Sequence, residues 1–302
     1  MTGASDRGSR AADLIEFHYM RILVAGAGGF VGGALVRRLA GHDLVLPSRE
    51  PEKFRRAGLR GSFPLFTEDL AGLAADSAPE IIINLLGIIR EAPGASFELV
   101  HAEYTRRLLA GARAAGVRKF IQMSALGAAP DAPSAYHRSK FAGETAVRES
   151  GLPYVIFRPS FITGPGQKFA SDLEALARFL PVFAAPSDAV TAPVGIAAVA
   201  DCLARAAEDD SVKNEIFELA GDRVVSFREL AAEALAAAGL RRPVLGLPRR
   251  FFLPLLPFFG LFHEPPMTRE QYLMMASPNV PSGKLRGVKD LLGAAAAGRQ
   301  GA

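Results

Sequence analysis

The sequence predicts an α/β fold in which helices cover both faces of a parallel sheet. From Met20 onward, short apolar segments alternate with longer amphipathic segments, which is the pattern of a chain that returns to one sheet through crossover helices. The segment 81–87 is an apolar run, as expected of a strand buried on both faces. A glycine-rich turn follows the first apolar run and leads into a helix. Together these features predict a doubly wound sheet of the Rossmann type.

The first strand ends in the segment VAGAGGFVG at 24–32. In the order strand, turn and helix, such a segment holds a dinucleotide pyrophosphate. Gly26 permits the turn, Gly29 lets the backbone approach the phosphates, and Gly32 lets the helix pack on the strand. The alternative is a glycine-rich turn in a fold that binds nothing. The predicted contact residues here are Gly26, Gly28, Gly29, Phe30, Val31 and Gly32.

The remaining elements of the first lobe follow from the same pattern. Each strand is a short apolar run bounded by polar or turn residues. Helical spacing of apolar residues fills two long connections, at 97–115 and 136–149. The predicted strands are 22–25, 44–46, 63–66, 81–87, 120–123 and 154–157.

The chain is predicted to form two lobes. Residues 20–165 carry the regular alternation and form the Rossmann domain, and residues 166–302 form a smaller, mostly helical lobe. A strand candidate at 215–219 belongs either to this lobe or to the first sheet. The predicted helices of the second lobe are 171–180, 196–207 and 227–238.

The two ends of the chain are predicted to lie outside these lobes. Residues 1–19 contain no apolar segment, so they are either a disordered tail or precede a true start at Met20. The low-complexity tail from about 294 is expected to be frayed.

Composition narrows the possible functions. A chain of 302 residues, 49% hydrophobic and 22% charged, is expected to be an ordinary globular protein of the cytoplasm without a transmembrane helix. One cysteine excludes an intrachain disulfide, and five histidines without H-x-x-x-H spacing predict no metal site. The net charge of +4 suits a polyanionic cofactor, whereas the lack of a lysine–arginine block argues against nucleic acid.

The end of the second strand predicts the choice of cofactor. An acidic residue there binds the ribose 2′-hydroxyl of NAD, whereas an arginine favours the 2′-phosphate of NADP. This chain has Ser48 and Arg49, with Lys53 four residues further on. Because the planar guanidinium of Arg49 suits a phosphate, NADP(H) is favoured over NAD(H). The alternative is a solvated surface arginine.

The segment YHRSK at 136–140 carries the predicted acid–base chemistry. In a helix, Tyr136 and Lys140 lie on one face, and a nearby ammonium lowers the pKa of a tyrosine towards the range of an acid–base catalyst. Ser124, at the carboxyl end of the fifth strand, supplies a hydroxyl that could hold a substrate carbonyl. The alternative for the Y-x-x-x-K spacing alone is a solvated helix face. The order of these residues after the glycine turn favours the catalytic interpretation.

These motifs resemble those of the extended or atypical short-chain dehydrogenase/reductases. Within that superfamily the chain is most similar to the NAD(P)H-binding accessory subunit family of respiratory complex I and its bacterial relatives. The segment MTREQ at 267–271 resembles the C-terminal end of that subfamily. The matching motifs are VAGAGGFVG at 24–32, INLLG at 83–87, FIQMSALGA at 120–128, YHRSK at 136–140, FRPSFITGPG at 157–166 and FELAG at 217–221.

The resemblance implies a role for each matching residue. Tyr136 would exchange the proton, Lys140 would lower its pKa and bond the nicotinamide ribose, and Ser124 would polarise the substrate oxygen. The glycines would line the pyrophosphate and Arg49 the 2′-phosphate. Tyr136 and Lys140 are counted among the cofactor contacts as well. The further cofactor contacts implied are Asp69 and Leu70 at the adenine, Leu85 and Gly87 along the cofactor, and Pro159 by the nicotinamide.

The chain departs from this family at two positions. His101 stands where extended members often carry an asparagine, and Ala198 stands where they usually carry an aspartate. An ordinary half-buried helix residue is the alternative for His101. The packing of the second lobe or the substrate edge is therefore expected to differ from that of relatives.

Two functions remain open. The first is an NADP(H)-dependent oxidoreductase or epimerase acting on a carbonyl/alcohol pair, whose substrate pocket is built from the loop after Gly87, the loop 125–135 and the second lobe. The second is a non-catalytic NADPH-binding accessory protein of the complex I type. The segment 249–262, with four phenylalanines beside an arginine pair, could contact a membrane surface or a protein complex. Its alternative is a core helix over the cleft.

Overall fold

A parallel sheet forms the centre of the computed structural model, which describes residues 19–259, 261 and 265–293. The predictions for residues 1–18 and for the tail from 294 therefore lie outside the described residues. The strands are β1 (Arg21–Ala25), β2 (Asp43–Val45), β3 (Gly61–Ser62), β4 (Ile81–Asn84), β5 (Lys119–Met123), β6 (Tyr154–Pro159), β7 (Ile162–Thr163), β8 (Phe183–Pro186), β9 (Val190–Thr191), β10 (Val194–Gly195), β11 (Glu215–Leu219), β12 (Val225–Ser226) and β13 (Val244–Leu247).

Helices connect most of these strands. A π-helical turn (Glu98–Glu103) leads directly into the fourth helix, and two 3₁₀ turns (Arg249–Phe251 and Leu253–Leu255) precede the ninth. The α-helices are α1 (Phe30–Arg38), α2 (Glu52–Arg56), α3 (Leu70–Ser77), α4 (Tyr104–Ala115), α5 (Ala135–Arg148), α6 (Lys168–Ala177), α7 (Ile196–Glu208), α8 (Phe227–Ala237), α9 (Leu256–Phe259), α10 (Arg269–Met274) and α11 (Val288–Leu292).

The sheet has the strand order β11-β6-β5-β4-β1-β2-β3, and all of its pairs are parallel. The order reverses between β1 and β4, so the carboxyl ends of these strands flank the crevice in which doubly wound folds bind ligands. The predicted Rossmann-type α/β fold is confirmed. The strand candidate at 215–219 forms β11 and completes the sheet beside β6.

Both faces of the sheet are buried, as the apolar runs predict. Along β1, Ile22 and Val24 face one hydrophobic core, and Leu23 and Ala25 face the other. The first core is closed by residues of α1, α7 and α11, and the second by residues of α3, α4 and α5. Because successive side chains of a strand point to opposite faces, a strand between two helical layers needs no polar face.

Two strands differ from the prediction for local reasons. The third strand is Gly61–Ser62 rather than 63–66, because Pro64 has no N–H to continue the ladder. Beyond it, the chain forms only an isolated bridge between Ser48 and Leu65. The fourth strand ends at Asn84 rather than at 87. The Asn84 side-chain oxygen accepts a hydrogen bond from the N–H of Leu86 at 3.1 Å, which turns the chain out of the strand.

The second half of the chain is less helical than predicted. The three predicted helices are present as α6, α7 and α8 with shifted ends. The strands before, between and after these helices form three two-stranded ladders, β7–β10, β8–β13 and β9–β12. The strands of these ladders are two to four residues long, too short for a clear alternation of apolar residues. Because β11 is a strand of the large sheet and α7 and α11 pack on it, the second half of the chain contributes to the first lobe. The predicted domain boundary near 165 stays a prediction.

Candidate dinucleotide and acid–base site

The glycine turn requires glycine at two of its positions. Gly26 has a φ of +88°, and a Cβ there would lie 2.9 Å from the carbonyl carbon of Leu85. A Cβ on Gly32 would lie 2.4 Å from the carbonyl oxygen of Gly26, closer than real Cβ atoms approach. The turn thus keeps β1, the start of α1 and the end of β4 in direct backbone contact.

The start of α1 leaves a positive helix end at this turn. Within the described chain, no side chain caps α1, and its first turn contains no acidic residue. Gly29 is the N-cap, and its N–H donates to the Gly26 oxygen at 3.0 Å. The backbone N–H groups at 30–32 precede the first hydrogen bonds of the helix interior, so they and the helix dipole form an anion site. This geometry fits a pyrophosphate.

We expect substitution at Gly32 to damage this turn, whereas its neighbour Gly33 tolerates it. Gly32→Ala should lower the free energy of unfolding by about 1–3 kcal/mol because its methyl group overlaps backbone atoms. A Cβ on Gly33 meets nothing within 4 Å, so Gly33→Ala should be neutral or stabilise the helix by up to about 1 kcal/mol. Urea unfolding measures both changes. Equal behaviour of the two variants would contradict the close approach.

The end of β2 lies beside the glycine turn. A Cβ on Gly28 would lie 3.7 Å from Ser48 Oγ, and this hydroxyl accepts a hydrogen bond from the N–H of Glu50 at 3.0 Å. Arg49 follows directly and is exposed. An arginine at this position is on the side of the crevice where a doubly wound fold holds the adenosine ribose.

The other predicted cofactor contacts border the same crevice. Asp69 is the N-cap of α3, and its carboxylate accepts from the N–H of Gly72 at 2.9 Å. The side chain of Leu70 is fully buried in the core, so only its backbone could contact an adenine. Leu85 and Gly87 follow β4, and a Cβ on Gly87 would lie 3.0 Å from the Nζ of Lys140.

Ser124 presents an unsatisfied hydroxyl at the carboxyl edge of the sheet. The residue is 2% exposed, and its Oγ has no hydrogen-bond partner among the residues that the structure describes. The backbone of Ser124 is fixed, because its N–H donates to the Phe157 oxygen at 2.7 Å. On β6, the next strand, Pro159 is buried and its oxygen accepts from the N–H of Leu126 at 3.0 Å. A buried hydroxyl without a partner is costly, which makes Ser124 suited to bonding a ligand.

Tyr136 and Lys140 lie in the first half of α5, one helical turn apart. Ser134 caps this helix by accepting from the N–H of His137 at 3.2 Å. Lys140 is buried, and its Nζ donates to the Met123 oxygen at 3.2 Å. Burial lowers the pKa of Lys140 to about 8, against the opposing influence of the Glu144 carboxylate. Glu144 itself is fully buried and paired with Arg158.

The predicted lowering of the tyrosine pKa by Lys140 is wrong for this structure. Burial raises the pKa of Tyr136 to about 12, and this desolvation outweighs any effect of the ammonium. The reason is geometric, since Lys140 points to the carbonyl of Met123 on β5. In this arrangement the phenol of Tyr136 is a hydrogen-bond donor at neutral pH.

His101 connects the loop after β4 to the helix that carries Tyr136. Its Nε2 accepts from the N–H of Ile88 at 3.0 Å, so the neutral ring carries its proton on Nδ1. This Nδ1 bonds Ser139 Oγ at 2.8 Å, and the serine donates to the Tyr136 oxygen of the backbone at 2.8 Å. The imidazole also meets the Tyr136 ring edge to face, with centroids 5.3 Å apart. His101 is therefore no ordinary half-buried helix residue.

The π-helical turn brings His101 close to α5. A Cβ on Gly143 would lie 2.5 Å from the His101 carbonyl oxygen, so glycine is needed where the two helices meet. That oxygen accepts from Thr105 Oγ1 at 2.7 Å, and Thr105 in turn accepts from the Asn84 amide at 3.0 Å. Local π-helical turns are frequent at functional sites.

Three residues of the site, Asn84, Ser139 and Glu270, escaped sequence analysis. Asn84 bonds both Thr105 and Gln122, the latter at 3.0 Å. Ser139 forms the relay described above. Glu270 of α10 accepts from the N–H of Ala135 at 2.8 Å, which places a carboxylate at the positive end of α5. The one available signal was the asparagine within an apolar strand, since a buried amide needs partners.

Two buried histidines predict a loss of stability at mildly acidic pH. Burial lowers the pKa of His101 to about 2, with help from the Lys140 charge, and that of His137 to about 4. Both are neutral in the folded protein but protonate near pH 6.5 when unfolded. Their contribution is complete above that pH and declines as the pH falls towards the folded-state values. Each histidine should lower the free energy of unfolding by about 2 kcal/mol as the pH falls from about 7 to about 5.

Urea unfolding at the two pH values tests this expectation. His101→Asn and His137→Gln should each reduce the difference between the two free energies by about 2 kcal/mol. Tyr154→Phe, at the opposite edge of the sheet, should retain the full difference. A wild-type protein with equal stability at both pH values would contradict the buried, neutral state of these imidazoles.

A cavity of about 330 Å³ adjoins this site. It lies between the loop after Ser124 and the segment that follows α10, and His137 forms part of its wall. Asn279 also lines it, and its side-chain oxygen is buried without a partner among the described residues. The loop 125–135, predicted to form part of a substrate pocket, lines this cavity, and its role in substrate binding stays a prediction.

The motif-bearing part of the chain matches one protein family. A profile of the NAD dependent epimerase/dehydratase family matches residues 22–185, more than half of the chain, from the glycine turn past Tyr136 and Lys140. The chain belongs to this family. A profile of the RmlD substrate binding domain matches residues 127–249. The resemblance to extended short-chain dehydrogenase/reductases is thereby confirmed, and the fold is a dinucleotide-binding one.

Relatives of this family member fall into two functional groups. The chain is 29% identical over 225 residues to the mitochondrial NADH dehydrogenase (ubiquinone) 1 alpha subcomplex subunit 9 of Arabidopsis thaliana, covering 69% of this chain and 55% of that protein. It is 34% identical over 191 residues to the ceramide reductase of Caulobacter vibrioides, covering 61% of this chain and 59% of that protein. The chain thus spans less than two thirds of either relative.

Solved structures agree on the fold. The crystal structure of dTDP-4-dehydrorhamnose reductase from Bacillus anthracis in complex with NADP superposes with a TM-score of 0.62 at 18% identity. The match covers 76% of this chain and 85% of that chain. At this identity the likeness concerns the epimerase/dehydratase fold alone.

Proposed function

We propose that the protein is an NADP(H)-dependent oxidoreductase or epimerase that acts on a carbonyl/alcohol pair. The observation that carries the proposal is the buried hydroxyl of Ser124, which lacks a partner among the described residues at the carboxyl edge of the sheet. It lies one residue beyond Met123, whose carbonyl bonds Lys140. A hydroxyl, a phenol and an ammonium in this order suit catalysis at a carbonyl group.

Ser124, Tyr136 and Lys140 each have a separate role in the proposed reaction. The Ser124 hydroxyl donates a hydrogen bond to the substrate oxygen and so withdraws electron density from the carbonyl carbon. The phenol of Tyr136 holds the proton that the substrate oxygen receives on reduction and takes it back on oxidation. Lys140, whose ammonium bonds the Met123 carbonyl, would bond the nicotinamide ribose of the cofactor. The dinucleotide, when bound, supplies or accepts the hydride.

The glycine turn and Arg49 would hold the cofactor. The backbone N–H groups at the start of α1 would bond the pyrophosphate, and the Arg49 guanidinium would pair with the adenosine 2′-phosphate. His101 contributes indirectly, because its bonds to Ile88 and Ser139 fix the loop beside the cofactor and the start of α5. It is a positioning residue.

An NADPH-consumption assay with a panel of ketones and aldehydes tests the proposal. The ceramide reductase named above supports carbonyl reduction as the first reaction to try. We expect turnover that requires the substrate and saturates with NADPH. Consumption at the rate of the substrate-free control would overturn the enzymatic proposal.

A second candidate is a cofactor-holding accessory protein without turnover. The high pKa of Tyr136 and the bond from Lys140 to Met123 favour this candidate, because neither group is set for proton transfer in this arrangement. The similarity to a complex I subunit supports it. Tight NADPH binding together with inactivity against the whole panel would decide for it. Both candidate functions are compatible with a location in the cytoplasm and with one at the membrane periphery.

A further inference from the structure

The surface with the least expected composition is the segment 241–261. It contains the arginine pairs at 241–242 and 249–250 and no acidic residue, while most of the remaining positions are leucine, phenylalanine or proline. The proposed function uses none of these residues. We call this stretch the arginine–leucine segment.

The arginine–leucine segment exposes its apolar side chains. It contains β13, the two 3₁₀ turns and α9. Phe258 is 64% exposed and Leu261 is 83% exposed, and Phe251, Leu253 and Leu255 are exposed as well. The predicted alternative of a core helix is therefore wrong for these side chains. Only Phe252 is buried among the phenylalanines that the structure describes here.

The segment is nevertheless held in place. β13 pairs with β8, and the N–H of Arg249 donates to Asp188 at 2.6 Å. The Arg249 guanidinium lies over the Tyr272 ring at 5.3 Å from its centroid. Its fixed backbone means that the exposed side chains do not result from an unpaired or loosely attached strand.

A second group of apolar side chains extends this surface. Phe179 is 87% exposed and Val182 is also exposed, and both precede β8, the partner of β13. A groove of about 450 Å³ is lined by Leu253, Leu256 and Pro257 of the arginine–leucine segment together with Met267. Exposed apolar patches of this kind mark interaction surfaces.

We propose that the arginine–leucine segment docks the protein on an anionic phospholipid bilayer. Charge decides between partners, because four arginines and no acid in 21 residues complement a negative lipid surface. The apolar side chains project from short turns interrupted by prolines, which suits shallow insertion between headgroups. No described helix combines the length and apolar composition needed to cross a bilayer. The contact is therefore peripheral.

Sedimentation with protein-free vesicles tests this proposal. The wild-type chain should bind vesicles of phosphatidylcholine with phosphatidylglycerol and bind pure phosphatidylcholine much less. Replacing Arg241 and Arg250 by glutamine should weaken binding about fivefold for each arginine. Phe258→Ser with Leu261→Ser should weaken it at least about tenfold, because both side chains would insert.

The control removes two equal charges elsewhere. Arg148, the last residue of α5, and Lys213, which precedes β11, are exposed and lie outside the arginine–leucine segment. Their replacement by glutamine should leave vesicle binding unchanged. All variants should retain NADPH affinity and thermal stability, which excludes misfolding. A control as weak as the arginine variant would overturn the proposal, because net charge alone would then explain binding. Binding to native membranes but not to protein-free vesicles would also overturn it, in favour of a protein partner.

Discussion

Replacing Tyr136 by phenylalanine is expected to lower turnover by about 10²–10⁴-fold, which is the usual contribution of a positioned acid–base group. The variant loses only the phenol oxygen, and the edge-to-face contacts of the ring with His101 and Phe97 remain. NADPH affinity should change by no more than about twofold, because the phosphate contacts proposed for the glycine turn and Arg49 are unaltered in the variant. Steady-state kinetics and fluorescence titration measure the two effects.

A matched tyrosine controls this experiment. Tyr154 lies at the amino end of β6, away from the crevice, so Tyr154→Phe should keep full turnover. Undiminished activity in Tyr136→Phe would remove the tyrosine from the mechanism.

Replacing Arg49 by alanine is expected to weaken NADPH binding about 10- to 100-fold and to leave NADH binding unchanged. The two cofactors differ by the 2′-phosphate alone, and a charge-assisted hydrogen bond to it contributes about 1.5–3 kcal/mol. The NADPH affinity of Arg49→Lys should fall between those of the wild type and Arg49→Ala, because an ammonium keeps the charge but cannot bond bidentately. Isothermal titration of the wild type and the two variants with both cofactors measures the six affinities.

The control for Arg49 is a distant arginine of equal charge. Arg148, at the carboxyl end of α5, is exposed, and Arg148→Ala should leave both affinities unchanged. Equal affinities of the wild type for NADPH and NADH would contradict the assignment of Arg49. So would an Arg49→Ala variant that weakens both cofactors alike.

Those parts of the fold and site that depend on neighbours in sequence could be predicted. The glycine turn is local, and its need for Gly26 and Gly32 appears in the structure as contacts of less than 3 Å from an added Cβ. The spacing of Tyr136 and Lys140 follows from helix geometry. Leu70 shows the limit of this reasoning. Its position in the sequence predicts a contact with the adenine, but its side chain lies wholly in the core.

The rest of the site depends on contacts between distant segments. His101 bonds Ile88 and Ser139 on two other elements, and no spacing rule links these residues. The direction of the Tyr136 pKa also depends on tertiary structure, since burial and the orientation of Lys140 decide it. The short ladders of the second half, such as β9–β12, carry too few residues to show periodicity.

The bond from Ala135 to Glu270 has a consequence for the order in which the protein is made. The anion site at α1 consists of residues from the first tenth of the chain or shortly beyond, so its parts are synthesised early. The helix that carries Tyr136 receives its terminal carboxylate from a residue 135 positions later. The N–H groups of the anion site therefore come from one short segment, whereas the acid–base helix reaches its final electrostatic setting only when α10 has docked.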